Sequence, residues 1–185
     1  MKKSYFLYGG FYMKKLVLAL ALTMAAAWPA AAATTGALKL SLWNEIAIAT
    51  PDNIHEIEGV DFGIGSSADA VTGLQWDLVF SETKYELTGA SLAWVINLAN
   101  NVRGAQFALL TKAEQVQGAQ LGFLNMAQSS ITGVQLGLLN QAEYVHGVQL
   151  GFVNYTKTIH GLQIGLLNIA ENGWLPTMIF VNGRF

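Results

Sequence analysis

The chain has 185 residues, 52 % of them hydrophobic, a formal net charge of −2 and no cysteine. Without cysteine, neither a disulfide scaffold nor a lipid-modified N-terminal Cys is available. Removing Lys2, Lys3, Lys14 and Lys15 with the leading segment leaves six basic against twelve acidic residues, about −6, which argues against nucleic acid or an anionic membrane surface as the main partner.

Residues 1–33 read as a secretory signal peptide. Lys14 and Lys15 precede an apolar run from Leu16 to about Ala27, and Ala31-Ala32-Ala33 offers a small-residue cleavage site. The run is too short for a transmembrane helix, and Met13 before two lysines looks like the true start. Residues 34–58 read as an N-terminal cap: "ALKLSLWNEIAIA" alternates Leu38, Leu40 and Leu42 with Lys39 and Ser41, and "TPDN" forms a turn.

From Gly59 to residue 173 the chain repeats itself. Units open at Gly59, Gly73, Gly89, Gly104, Gly118, Gly133, Gly147 and Gly161, 14 to 16 residues apart. The third place holds Gln75, Gln106, Gln120, Gln135, Gln149 and Gln163. The fifth holds Gly63, Gly122, Gly137, Gly151 and Gly165, and the eighth Asn125, Asn140, Asn154 and Asn168. Places two, four and six are apolar, as in Val148, Leu150 and Phe152, which is the period of a strand with one buried face. In a helix each glycine would cost about 1 kcal/mol relative to alanine. The Asn reads as a corner and the rest of the unit as a thinner return strand. Trp76-Asp77 and Ala93-Trp94 depart from the aliphatic-then-Gly pattern, which predicts irregularity in those units.

Two architectures fit. In a parallel β-solenoid each unit is one coil, giving about eight coils of 14 to 16 residues, with like residues stacked roughly 4.8 Å apart. Gln120, Gln135, Gln149 and Gln163, the four Asn and the glycines Gly122, Gly137, Gly151 and Gly165 then form structural stacks. The alternative is an eight-stranded antiparallel outer-membrane β-barrel ending at Phe185. A barrel alternates strand direction and should repeat every two strands, and three apolar residues per strand, spaced about 6.6 Å, cover too little of a lipid band about 25 Å tall. The solenoid is therefore the expected fold. Residues 174–185, with Trp174, Leu175, Pro176 and "MIFVN", are expected to plug its lower end, because terminal coils need covers.

The units "GVQLGLLN" and "GLQIGLLNIAENGWLP" with an aromatic C-terminus resemble a family of exported Gram-negative surface repeat-containing proteins. The resemblance implies a cell-envelope or surface location and carries over no catalytic role.

Chemistry-bearing residues are sparse. His146 and His160 stack in neighbouring coils without a third ligand in register, so no metal site is expected. His55 with Glu56 and Glu58 reads as a solvated turn. Glu143, Lys157 and Glu171 share the eleventh place and alternate in sign, a surface charge pairing. Ser66-Ser67 and Ser129-Ser130 have no His and acid in register, and "GIG" at 63–65 has no helix or Lys to make a phosphate loop. No enzyme, cofactor or catalytic residue is expected. The expected function is a non-catalytic envelope scaffold, offering faces of Gln, Gly and small polar residues to an envelope protein or carbohydrate. Association with the outer membrane is the second expectation.

Overall fold

The computed structural model describes residues 34–48 and 54–185. The signal peptide, Met13 and the "TPDN" turn lie outside the described residues. Strands β1 to β7 span Thr35–Trp43, Ile46–Ala47, Glu56–Ala93, Ile96–Leu136, Leu139–Leu150, Val153–Ala170 and Thr177–Arg184, and no helix occurs among the described residues. The chain is a parallel β-solenoid of about six turns.

Like residues lie over like. Gln135 pairs with Gln149 and Asn125 with Asn140 where β4 meets β5, and Gln149 with Gln163 and His146 with His160 where β5 meets β6. Every one of these ladders is parallel, so the antiparallel barrel is not the fold. Six turns are fewer than the eight coils counted from the units. The last unit never closes, because after Ala170 the chain reverses and β7 returns antiparallel to β6. At the other end β1 runs parallel to β3 but covers only Glu56–Gly63, and β2 turns back on it through Asn44.

Which residues face inward is the reverse of the sequence expectation. Gln75, Gln106, Gln120, Gln135, Gln149 and Gln163 are 0 % exposed, whereas Leu136 is 48 % and Phe152 58 % exposed. The inward residues of a unit are the Gln, the fifth-place Gly, the Asn, a small residue such as Ala142 or Thr156, and a β-branched one such as Val145 or Ile159. This alternation breaks three times per unit: at the opening glycine, between places five and eight, and between places ten and thirteen. Each coil therefore has three short sides around a narrow lumen. The chain bends at Gly137–Leu138 and Gly151–Phe152, before the Asn rather than at it.

Two glycine columns make this coil possible. Gly147 has φ 143°, and a Cβ there would meet the Gly133 carbonyl oxygen at 2.0 Å. Both the backbone region and the stacking distance exclude a side chain. At Gly151 the carbonyl oxygen of the coil below is again an obstacle, Gly137 O at 2.5 Å, and side chains add to it: a Cβ would sit 2.5 Å from Asn140 Nδ2 and 3.0 Å from Asn154 Oδ1. The Asn amides fill the inside of that bend, so fifth-place Gly and eighth-place Asn occur together. Longer units put their extra residue on the far sides, where the register shifts between Thr83 and Glu86 and between Ala127 and Ser130.

Exchanging polarity at adjacent positions tests the inversion. Gln135→Leu is expected to cost on the order of 2–4 kcal/mol, because it leaves buried amide and carbonyl partners unpaired. Leu136→Gln should stay within about 0.5 kcal/mol of the parent. Urea unfolding of the two variants checks this, and the opposite ranking would mean that the apolar column is the core.

Candidate functional site

The lumen is occupied by two hydrogen-bonded amide columns of opposite direction. Gln163 donates to Gln149 Oε1 (2.7 Å), Gln149 to Gln135 (2.7 Å), Gln135 to Gln120 (2.9 Å) and Gln120 to Gln106 (3.1 Å). Gln106 then donates to Asn97 Oδ1, Asn97 to Ser91 Oγ, Ser91 to Gln75 Oε1, and Gln75 to Asp61 Oδ2 at 3.4 Å. Ser91 and Asn97 together do the work of one Gln in the irregular unit from Gly89. Each Gln of the regular units also spans the lumen; Gln135 Nε2, for example, reaches the Gln141 carbonyl at 3.1 Å. The Asn column runs the other way, from Thr111 Oγ1 to Asn125 Oδ1 (2.7 Å), then Asn125 to Asn140, Asn140 to Asn154 and Asn154 to Asn168 at 2.8–2.9 Å. The predicted stacks of Gln, Asn and Gly are thus brought together, but in the interior. They offer no face to a partner or carbohydrate.

The N-terminal end of the Gln column is a buried ionic cluster. Lys39, in register with Asp61, donates to Ser66 Oγ at 3.2 Å and to the Ser67 carbonyl. Ser41 and Ser66 both donate to the Asp61 carboxylate. Ser66 therefore has an acid and a lysine beside it, though no histidine, and resembles a serine–lysine pair, which the sequence did not lead one to expect. Yet Ser66 and Asp61 are 0 % exposed, so no substrate reaches the hydroxyl in this conformation. One level on, Asp77 accepts from Ser81 Oγ at 2.5 Å and leaves Oδ1 unpaired.

Burial dominates the electrostatics there. Desolvation pushes Asp77 up to about 7, assisted by the neighbouring Asp61 charge and opposed by Ser81 and Lys39. It raises Asp61 too, against the hydrogen bonds from Ser66, Ser41 and Gln75 and the Lys39 charge. Lys39 is lowered by its own burial, against the pull of Asp61 and Asp77. Reading β1 as a cap hides Lys39; aligning Leu38, Leu40 and Leu42 with places two, four and six puts it at the third place.

The outward side is chemically the opposite. Places two, four, six and seven of all eight units carry only Val, Leu, Ile, Ala, Phe, Trp or Gly. They form four parallel columns covering one side of the solenoid and the edge beside it, where places six and seven both point out. Phe62, Trp76, Phe107, Leu109, Phe123, Leu138 and Ile164 are among the exposed members. Trp76, Leu92, Ala93, Trp94 and Phe107 border a notch of about 150 Å³. Phe62 and Trp76 pack edge to face, with centroids 5.5 Å apart.

The exposed charges of the array lie in the second halves of the units. Lys157 pairs with Glu143, Arg103 with Glu86 at 3.3 Å, and Lys84 with Glu45 and Asp69 at 2.7 and 3.4 Å. A polar groove of about 260 Å³ lies on these sides, between Glu82, Lys84, Asn100, Lys112 and Gln128. The His146 and His160 rings stack with centroids 6.1 Å apart, and no group of three metal-ligating side chains occurs among the described residues. His55 is exposed at the start of β3. No family model, curated protein or solved structure matches the chain.

The buried acids predict a pH dependence. Asp77 binds its proton more tightly when folded, about 7 against 3.8 for the ordinary carboxyl. Its contribution to stability is therefore complete below about pH 4 and is lost as pH rises through 7, at about 1.4 kcal/mol per unit. Asp77→Asn should raise the urea midpoint at pH 8 and flatten the decline between pH 5 and 8. An unchanged slope would show that Asp77 is already ionised at pH 5.

Proposed function

We propose that the protein is a non-catalytic repeat scaffold of the Gram-negative cell envelope, exported through residues 1–33, with the apolar columns as its working surface. The observation that carries this reading is the exchange of inside for outside: the hydrogen-bonding residues are consumed by the lumen, and the large apolar ones are left outside. An uninterrupted apolar surface of this extent marks an interaction site, because soluble monomers rarely leave one uncovered. The export step is supported by the basic, apolar and small-residue succession that ends at Ala33.

The interior supports the non-catalytic part. The Ser66, Lys39 and Asp61 cluster is sealed in the lumen, whereas an active site needs its titratable groups in a cleft. The partner therefore meets side chains at places two, four, six and seven, not the amide columns.

Export is tested by producing the full chain with a C-terminal tag in a Gram-negative host, fractionating the cells and measuring the mass of the tagged product. A product beginning just after Ala33 and recovered with the envelope is expected. An uncleaved product in the cytoplasm would overturn the reading.

A further inference from the structure

We propose that the apolar columns are a lipid-docking surface: the solenoid lies along a zwitterionic phospholipid layer with its apolar side and edge immersed and its charged sides in water. This deepens the scaffold reading by naming what the working surface meets, and rests on it for the identity of that surface.

Hydrogen-bonding capacity is the first observation that selects lipid over protein. Interfaces between proteins carry about one hydrogen bond per 100–200 Å², and even homodimer interfaces are only about 65 % apolar. Apart from the indole N–H of Trp76 and Trp94, the four columns provide no side-chain hydrogen-bonding group at any level. Hydrocarbon asks for none. In the regular coils the backbone groups beneath the columns are paired with the neighbouring coils, in the parallel ladders and, at the bends, by bonds such as Leu138 N–H to the Phe123 carbonyl and Phe152 N–H to the Leu138 carbonyl, so these peptide groups can enter lipid already satisfied.

Tryptophan placement is the second. Trp43, Trp76, Trp94 and Trp174, all the tryptophans among the described residues, are 53, 46, 64 and 53 % exposed. Trp76 and Trp94 stand in the columns, and Trp43 continues the seventh-place column, its ring lying 3.3 Å from a Cβ built at Gly65. An indole combines an apolar body with one N–H donor and prefers the boundary between acyl chains and headgroups. The shape agrees, since places six and seven form a projecting edge that fluid acyl chains can surround.

Charge decides which lipid. No cluster of Lys or Arg flanks the columns: the place before the opening glycine holds Glu58, Thr72, Thr88, Arg103, Gln117, Thr132, His146 and His160, with Arg103 the one Lys or Arg among them. Attachment therefore comes from apolar burial to a depth of about 5–10 Å, as for an amphipathic helix in the interface plane, without help from anionic headgroups.

The absence of cysteine allows a position-resolved test on the full-length chain. Leu136→Cys and Phe152→Cys in the columns and Tyr144→Cys on a charged side are each labelled with an environment-sensitive fluorophore and mixed with phosphatidylcholine vesicles. Labels at 136 and 152 are expected to shift to the blue and to be quenched by acyl-brominated lipid, while the label at 144 is unchanged. Half-molar salt should not reverse the shift, and phosphatidylglycerol should not tighten binding more than about twofold. Equal response at all three sites, or none, overturns the proposal. So does a column-only shift that appears without vesicles as protein concentration rises, which assigns the surface to a second copy. Tightening of tenfold or more by the anionic lipid would overturn the zwitterionic assignment. Because labelled protein is presented to lipid directly, a negative result leaves export untouched, and failed export leaves lipid binding measurable.

Discussion

Stacking of identical amides at one coil height is the interaction on which the structure depends. A Gln inside a narrow lumen would be costly alone, since an unpaired buried amide loses on the order of 1–3 kcal/mol. Repetition removes that cost. Each amide meets its own copy one level away and, in the Gln column, a carbonyl across the lumen as well. The same residue thus links adjacent coils and ties one side of a coil to another, which makes its recurrence in Gln120, Gln135, Gln149 and Gln163 a physical necessity of the packing.

Direction matters as much as pairing. In one column each Gln donates toward the N-terminal end, and in the other Asn125, Asn140 and Asn154 donate toward the C-terminal end, so the two rows of side-chain dipoles oppose one another. Successive hydrogen bonds in a chain polarise one another, and two opposed chains do so without building a net dipole along the axis. The ends still need terminators. At the N-terminal end the Gln column delivers an N–H to Asp61, a carboxylate in the place a Gln would hold; at the other end Gln163 Oε1 has no partner. Lys39, Ser41 and Ser66 then serve the charge that Asp61 brings inside.

Filling the lumen with short polar and small residues has an outward consequence. Strand alternation sends the Leu, Phe and Trp side chains to the surface, and the sharp bend at Gly137 and Gly151 places two successive apolar residues on one edge. The scaffold's stability and its exposed apolar side therefore have a single origin. A coil with apolar residues inside would need a wider lumen and would lose the bend that Asn140 and Asn154 occupy.

Much of this was legible in the residues. The fourteen-residue spacing from Gly133 to Gly147 to Gly161 predicts parallel stacking, and the recurrence of polar identities alongside apolar ones predicts amide columns. The number of turns was overstated because the unit from Gly161 looks like its predecessors up to Ala170; only the antiparallel return of β7 ends the coil. The partners of Ser66 were hidden because Lys39 lies 27 residues away and meets it only across the lumen. By itself the sequence determined the period, the strand direction and which residues stack. The tertiary structure alone decided which set faces in, because alternation with period two is the same pattern viewed from either face. Closing three short sides around a lumen one Gln side chain wide left room for amides, Ala and β-branched residues, and put the large apolar chains outside.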